Sequence, residues 1–196
     1  AGETVHLKHI ESGQSGSWQF RIIKIHLGQG SHFSLESIQD VQGGNALTYW
    51  IIEQEAHSRV DWNRIHLGGH FQRDHVQVHQ LGERAHTGLC GLYVGNGQQN
   101  IESVWHIHHA ANTGTSSQLQ RGLLTDRAKA VAISGVSVAK NVSGISSKQK
   151  LDHILLSETA AIHTRPQLEI LADDVKCDHG ITVGSMDEDE LFYMRS

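Results

Sequence analysis

Apolar and polar residues alternate with a period of two along most of the chain. In "SWQFRIIKIHLG" the alternation sets Phe20 and Ile22 on one side, then Ile23, Ile25 and Leu27 on the other. "DHVQVHQLG" alternates Val76 and Val78 with polar neighbours, "VAISGVSVAK" repeats the habit, and "ALTYWIIEQEAH" is rich in aromatic and β-branched residues. Such patterning turns successive side chains to opposite faces of a sheet. Glycines punctuate the runs at "GQG" 28–30, at "GG" 43–44 and 68–69, and at "GNG" 95–97. With 20 glycines and one proline in the chain, glycine is expected to supply the turns almost unaided. The rhythm predicts about a dozen strands and no amphipathic helix until the last segment. There "SMDEDELFYMRS" offers a Ser or Asp cap, a block of acids and then Leu191, Phe192 and Tyr193, which reads as the opening turns of a helix. The expected organisation is a β domain over 1–184 and the start of a truncated helical region over 185–196.

Short strands with glycine turns fit an antiparallel sandwich or barrel as well as a stacked coil of parallel strands. Uneven spacing and polar residues recurring inside strands lean toward the coil. No strict repeat decides it.

Composition narrows the function classes. The chain has 196 residues, enough for a sizeable core, and a formal charge of −5 with 16 Lys and Arg, which argues against a general nucleic-acid binder. No apolar run approaches the ~20 residues that span a bilayer, so no membrane partner is expected. Cys90 and Cys177 are the only cysteines, too few for a disulfide framework, which points to a reducing compartment, the cytoplasm.

The 16 histidines are the main chemical resource. In "VWHIHHAAN", His106 and His108 share one face of a strand roughly 7 Å apart, close enough to chelate one metal. His66, His70, His75, His79 and His86 sit on presumed strands too. A single such ring is ordinarily a part-buried group bonded to a neighbour, and the set fits a stacked ladder on a sheet face. "VKCDHG" differs in pairing a thiol with an imidazole: Cys177 and His179 also lie two apart and point the same way. They suit iron, zinc or copper(I), but supply only half of a tetrahedral set. Lys176 favours the thiolate, whereas Asp173, Asp174 and Asp178 oppose it. Adjacent Asp173 and Asp174 face opposite ways on a strand and cannot flank one glycosidic bond. There is no P-loop, G-x-S-x-G elbow or H-E-x-x-H, so an autonomous enzyme is not expected.

The segment "TRPQLEILADDVKCDHGITVGSMDEDELFYMRS", 164–196, closely resembles the end of the β-helix core of the SufB/SufD family of iron–sulfur cluster assembly proteins. Ile181 stands where alanine is usual. The stretch beginning "SSQLQRGLLTDRAKAVAISG" looks similar less closely, and before about residue 110 only the strand rhythm and the histidine richness match. The SufD branch fits better than the SufB branch, in which glutamates flank the histidine.

The resemblance implies a right-handed parallel β-helix and a non-catalytic scaffold of the SUF complex. It would pair with a SufB-like paralogue, and iron or a nascent iron–sulfur cluster would sit transiently at the shared interface. The family's interface histidine falls on His179 and its neighbouring cysteine on Cys177, the latter as an accessory group. ATP hydrolysis belongs to a SufC-like ATPase that docks on the family's following helical region, so these residues are expected to bind it weakly. Isolated, the exposed final strands are expected to pair with a second copy as a homodimer. The alternative is a histidine-rich metal-binding β protein with its own mononuclear site at His106 and His108.

Overall fold

The computed structural model describes residues 2–41, 43–185 and 192–193. Among these residues the chain forms thirteen strands in two sheets and almost no helix. One sheet contains β1 (Thr4–Ser12), β3 (His32–Asp40), β5 (Arg59–Leu67), β7 (His86–Gly95), β9 (Thr115–Leu124), β11 (Ile145–Leu155) and β13 (Val175–Ser185), in that order. The other runs β2 (Trp18–Leu27), β4 (Asn45–Gln54), β6 (Phe71–Gln80), β8 (Asn100–His109), β10 (Lys129–Val138) and β12 (Ala161–Ile170). Every neighbouring pair is parallel. The chain therefore winds from one sheet to the other and back, a β-solenoid of about six turns. The coil, not the sandwich, is the architecture. The helix expected over 185–196 lies outside the described residues except for Ser185, which ends β13, and Phe192 and Tyr193, which are helical and exposed.

In-register stacking places like positions of successive turns above one another, so each inward column is a line of contacts. Leu35, Trp62 and Leu89 from one sheet meet Trp50, Ile52, Val76, Val78, Trp105 and Ile107 from the other in the main core. Tyr93, Ile101, Leu124, Ala130, Ala132 and Leu151 continue it toward the C-terminal turns. Burial of each large apolar side chain is worth about 1.5–3 kcal/mol.

The interior is not uniformly apolar. Arg64 is buried against the packed rings of Trp50 and Trp62, its guanidinium carbon 5.5 and 5.9 Å from their centroids. It donates to Glu11 at 3.0 Å and to Asp74 at 3.0 and 3.2 Å, and these carboxylates are buried as well. Such a cluster is tolerable only because its charges offset one another.

The turns correct the expectation that glycine would shape them almost alone. His57, Arg84, Thr113, Asp126 and Asn141 also adopt positive φ. The stacking of turns compensates the cost of about 1–2 kcal/mol that a side chain incurs there. His57 N–H donates to Glu83 O at 2.8 Å, Arg84 to Asn112 O at 3.0 Å and Thr113 to Ser143 O at 2.8 Å, each reaching the next turn. Gly144, also at positive φ, donates to Asp174 O at 2.9 Å and so continues the same ladder.

Candidate ligand site at the end of the coil

β13 is the last strand of the seven-stranded sheet, and among the described residues no strand covers its far edge. Its register with β11 pairs Cys177 with Ser147 and His179 with Gln149, both of which face the core. The thiol and the imidazole thus project together on the inward side of the coil at the place where stacking stops. Cys177 is half-buried and His179 exposed.

The inward positions that follow, Ile181 and Val183, are 43% and 46% exposed, and Leu168 and Ile170 on β12 are 38% and 40% exposed. These are core-type residues left without a covering turn. The adjoining edge strand β12 holds the chain's one proline, Pro166, which removes a donor from that edge. The β13 edge carries none.

The two columns that end at this site change character along the coil. Val5, Phe33 and Val60 give way to Thr87, Ser116 and Ser147 before Cys177. Leu7, Leu35, Trp62 and Leu89 give way to Gln118 and Gln149 before His179. Ser147 Oγ lies 2.8 Å from Ser116 Oγ, which lies 2.9 Å from His109 Nε2. Gln149 Nε2 donates to Ser134 O at 2.8 Å, and its Oε1 finds no partner among the described residues.

Burial, reinforced by the Asp178 charge, pushes the Cys177 thiol above its usual range. The Asp174 carboxylate accepts the Gly144 N–H at 2.8 Å and so ties the final turn down, which engages it in the fold itself. Cys90, the other free thiol, is exposed on β7, far from Cys177 in strand order.

The other donors fall elsewhere. His66 is buried among Arg64 and Asp74, and burial holds it neutral. His86 faces outward near Asp61, 4.0 Å away, which also binds His32 at 2.8 Å. His75, His79, His106 and His108 lie on the outer side of the six-stranded sheet, where His79 and His108 are register partners. The expected ladder is present there in part. His106 and His108 both bond the hydroxyl of Ser137. Burial lowers their basicity, with His79 adding to the effect and Glu169 opposing it. Among the described residues no group of three or more His, Cys, Asp or Glu side chains is placed to hold a metal ion.

A groove of about 620 Å³ lined by Phe20, Ile22, Leu47, Tyr49 and His75 lies on β2, β4 and β6, at the opposite end of the coil from Cys177. Its lining holds one imidazole, His75, beside Arg21 and Arg73, and no thiol.

Sequence reasoning missed Ser147 and Gln149 beneath the candidate pair, and Ser137 and Glu169 beside the outer histidines. The only signal for the first group is the alternation in "ISSKQKLDH", which becomes informative once the inward face is known.

Residues 1–196 match the family model described as SUF system FeS cluster assembly, SufBD core domain. The chain is 31% identical over 130 residues to the iron–sulfur cluster assembly protein SufD of Escherichia coli (strain K12), across 66% of this chain and 31% of that protein. It is 29% identical over 179 residues to an iron–sulfur cluster assembly SufBD family protein of Synechocystis, across 89% of this chain and 39% of that one. With the chloroplastic protein ABCI7 of Arabidopsis thaliana the identity is 26% over 181 residues, 91% of this chain and 38% of that protein. The matched stretches thus span between 31% and 39% of these relatives' lengths. No helix among the described residues is long and apolar enough to cross a membrane.

Proposed function

The chain belongs to the SUF-system iron–sulfur cluster assembly family, as a SufBD core domain, and on that premise we propose that it is a non-catalytic, SufD-like scaffold. Its last turn pairs with a SufB-like chain, and His179 with Cys177 supplies part of the ligand set for iron or a nascent cluster between them. The observation that carries this reading is the placement of one thiol and one imidazole on the uncovered inward face of β13, beside core-type residues that lack a covering turn. An iron–sulfide cluster is held by four protein ligands in all, and two come from this chain; a partner that stacks on the coil end would bring the other two and bury Ile181 and Val183.

The chemistry required of these residues is binding and orientation. A thiol held protonated by burial and by Asp178 becomes a ligand only when a cation displaces its proton. Cys177 therefore suits an accessory role and His179 the primary one. The energy-using step belongs to a SufC-like ATPase bound outside this domain. In the absence of a paralogue the same end pairs two copies of this chain. The working compartment keeps both thiols reduced, the cytoplasm being the expected one.

The test is co-expression with a SufB-like chain, then anaerobic loading with ferrous iron and sulfide. His179→Ala is expected to leave the pair assembled yet lower its bound iron and acid-labile sulfide several-fold. Equal iron and sulfide in both proteins would overturn the assignment.

A further inference from the structure

The outer face of the six-stranded sheet carries metal-type donors that the scaffold role does not use. His79 on β6, His108 on β8, Ser137 on β10 and Glu169 on β12 are register partners in one line across four strands. His106 lies on the same face two residues before His108. Neighbouring strands are only about 4.8 Å apart, so side chains in such a line meet.

Two ring nitrogens already aim at one point: His106 Nε2 is 2.9 Å and His108 Nδ1 2.8 Å from Ser137 Oγ. One hydroxyl has a single proton to donate, so it donates to one ring and accepts from the other. Position 135 has to be glycine for this, because a Cβ there would lie 2.3 Å from His106 Nδ1. His79 backs the pair, its ring edge-on to His108 at a centroid distance of 6.1 Å. Glu169 sits one strand beyond Ser137 and is near enough to act electrostatically on both rings.

We propose that His106 Nε2, His108 Nδ1 and the Glu169 carboxylate form a site for one divalent transition-metal ion, with the Ser137 hydroxyl holding the two rings in place while the ion is absent. Two imidazoles and one carboxylate with open positions form the donor set that suits ferrous iron. The site is not preassembled: among the described residues no group of three His, Cys, Asp or Glu side chains is placed to hold an ion. Closing it requires exposed Glu169 to turn toward the two half-buried rings and the rings to leave Ser137, side-chain motions of the kind that occur within nanoseconds at a surface. The site stands apart from Cys177 and His179, on the opposite sheet and on its outer side.

Cobalt(II) titration tests this, because its visible absorption reports ligand type and number. The chain carrying Cys177→Ala and His179→Ala is titrated so that the end of the coil cannot contribute. One cobalt per chain is expected, with binding weakened at least tenfold by His106→Ala, by His108→Ala and by Glu169→Gln. Ser137→Ala, which removes the competing hydroxyl, is expected to bind cobalt as well as or better than its parent. An unchanged far-ultraviolet circular dichroism spectrum excludes misfolding as the cause of any loss. Absence of saturable binding in the Cys177→Ala, His179→Ala background overturns the proposal, as does binding indifferent to the three substitutions.

Discussion

Arg64→Met probes how far the buried charge cluster holds the N-terminal turns together. In the folded chain Arg64 bonds Glu11 on β1, Gln39 on β3 and Asp74 on β6, and so ties three turns through one side chain. Methionine fills much of the same volume beside Trp50 and Trp62 but leaves two carboxylates behind. Glu11 keeps Arg21 at 3.0 Å, His9 at 3.3 Å and Thr48 at 3.3 Å, whereas Asp74 keeps the Trp50 N–H at 3.1 Å and the neutral His66 ring at 3.7 Å. Asp74 is therefore the group left without a permanent cation. Its carboxyl is already pushed up to about 6, by burial foremost, with Arg64 pulling it down and Glu11 pushing it up. Removing one partner of a buried pair costs about 3–5 kcal/mol, a large part of the ~5–15 kcal/mol that holds a domain folded.

Urea unfolding followed by tryptophan emission, with Trp50 and Trp62 reporting from inside the cluster, measures the loss. Asp74→Asn added to Arg64→Met is expected to recover at least ~1 kcal/mol, because residues sharing one network couple by that order. Amide exchange in β1 should accelerate in the single variant, since Glu11 loses its innermost anchor. A loss below ~1 kcal/mol for Arg64→Met, or no recovery in the double variant, would show that the cluster does not hold these turns together.

Two further outcomes concern pH and the open end of the coil. Burial pushes His109 and His153 down to about 4, while an unfolded histidine titrates near ~6.5. Between those values the unfolded chain binds more protons, so this contribution is complete above ~6.5 and drains away as pH falls toward 4. Asp74, raised to about 6, acts in the opposite sense below that value, and the two histidines outweigh it. The urea midpoint is expected to be lower at pH 5 than at pH 7.5, and a higher one contradicts the assignment. Separately, Ile181→Lys puts a charge among the uncovered core positions of β13. It should weaken self-association or pairing at least tenfold by sedimentation velocity, and leave the monomer's stability to urea within ~0.5 kcal/mol of the parent, as exposed substitutions do.

How much of this was legible depends on how local the signal is. The strand rhythm and the glycine breaks are local, and thirteen strands replace about a dozen expected. Cys177 and His179 lie two apart on one strand, so their common direction could be read directly. Which face points inward could not. In the first half of β9 the inward positions are Ser116, Gln118 and Gln120, while Leu119 is left half-buried on the other side, the reverse of what hydrophobicity suggests. Glutamine amides reaching backbone carbonyls across the coil, such as Gln118 to Gly135 O at 2.9 Å, make that inversion tolerable. Register was hidden as well. His79 and His108 become neighbours only because one turn of the coil separates them. The left-handed turns at His57, Arg84 and Thr113 depend on bonds to the next turn, which local propensity does not report.

Whether His179 binds the cluster from this side of a shared interface decides the proposed function. Labelling only this chain with ¹⁵N-histidine, pairing it with an unlabelled SufB-like chain and measuring ¹⁵N hyperfine coupling in the reduced, cluster-loaded complex answers that question. A directly coordinated ¹⁵N signal that disappears in His179→Ala is expected. A cluster with no ¹⁵N coupling, or one whose coupling survives that substitution, would contradict it.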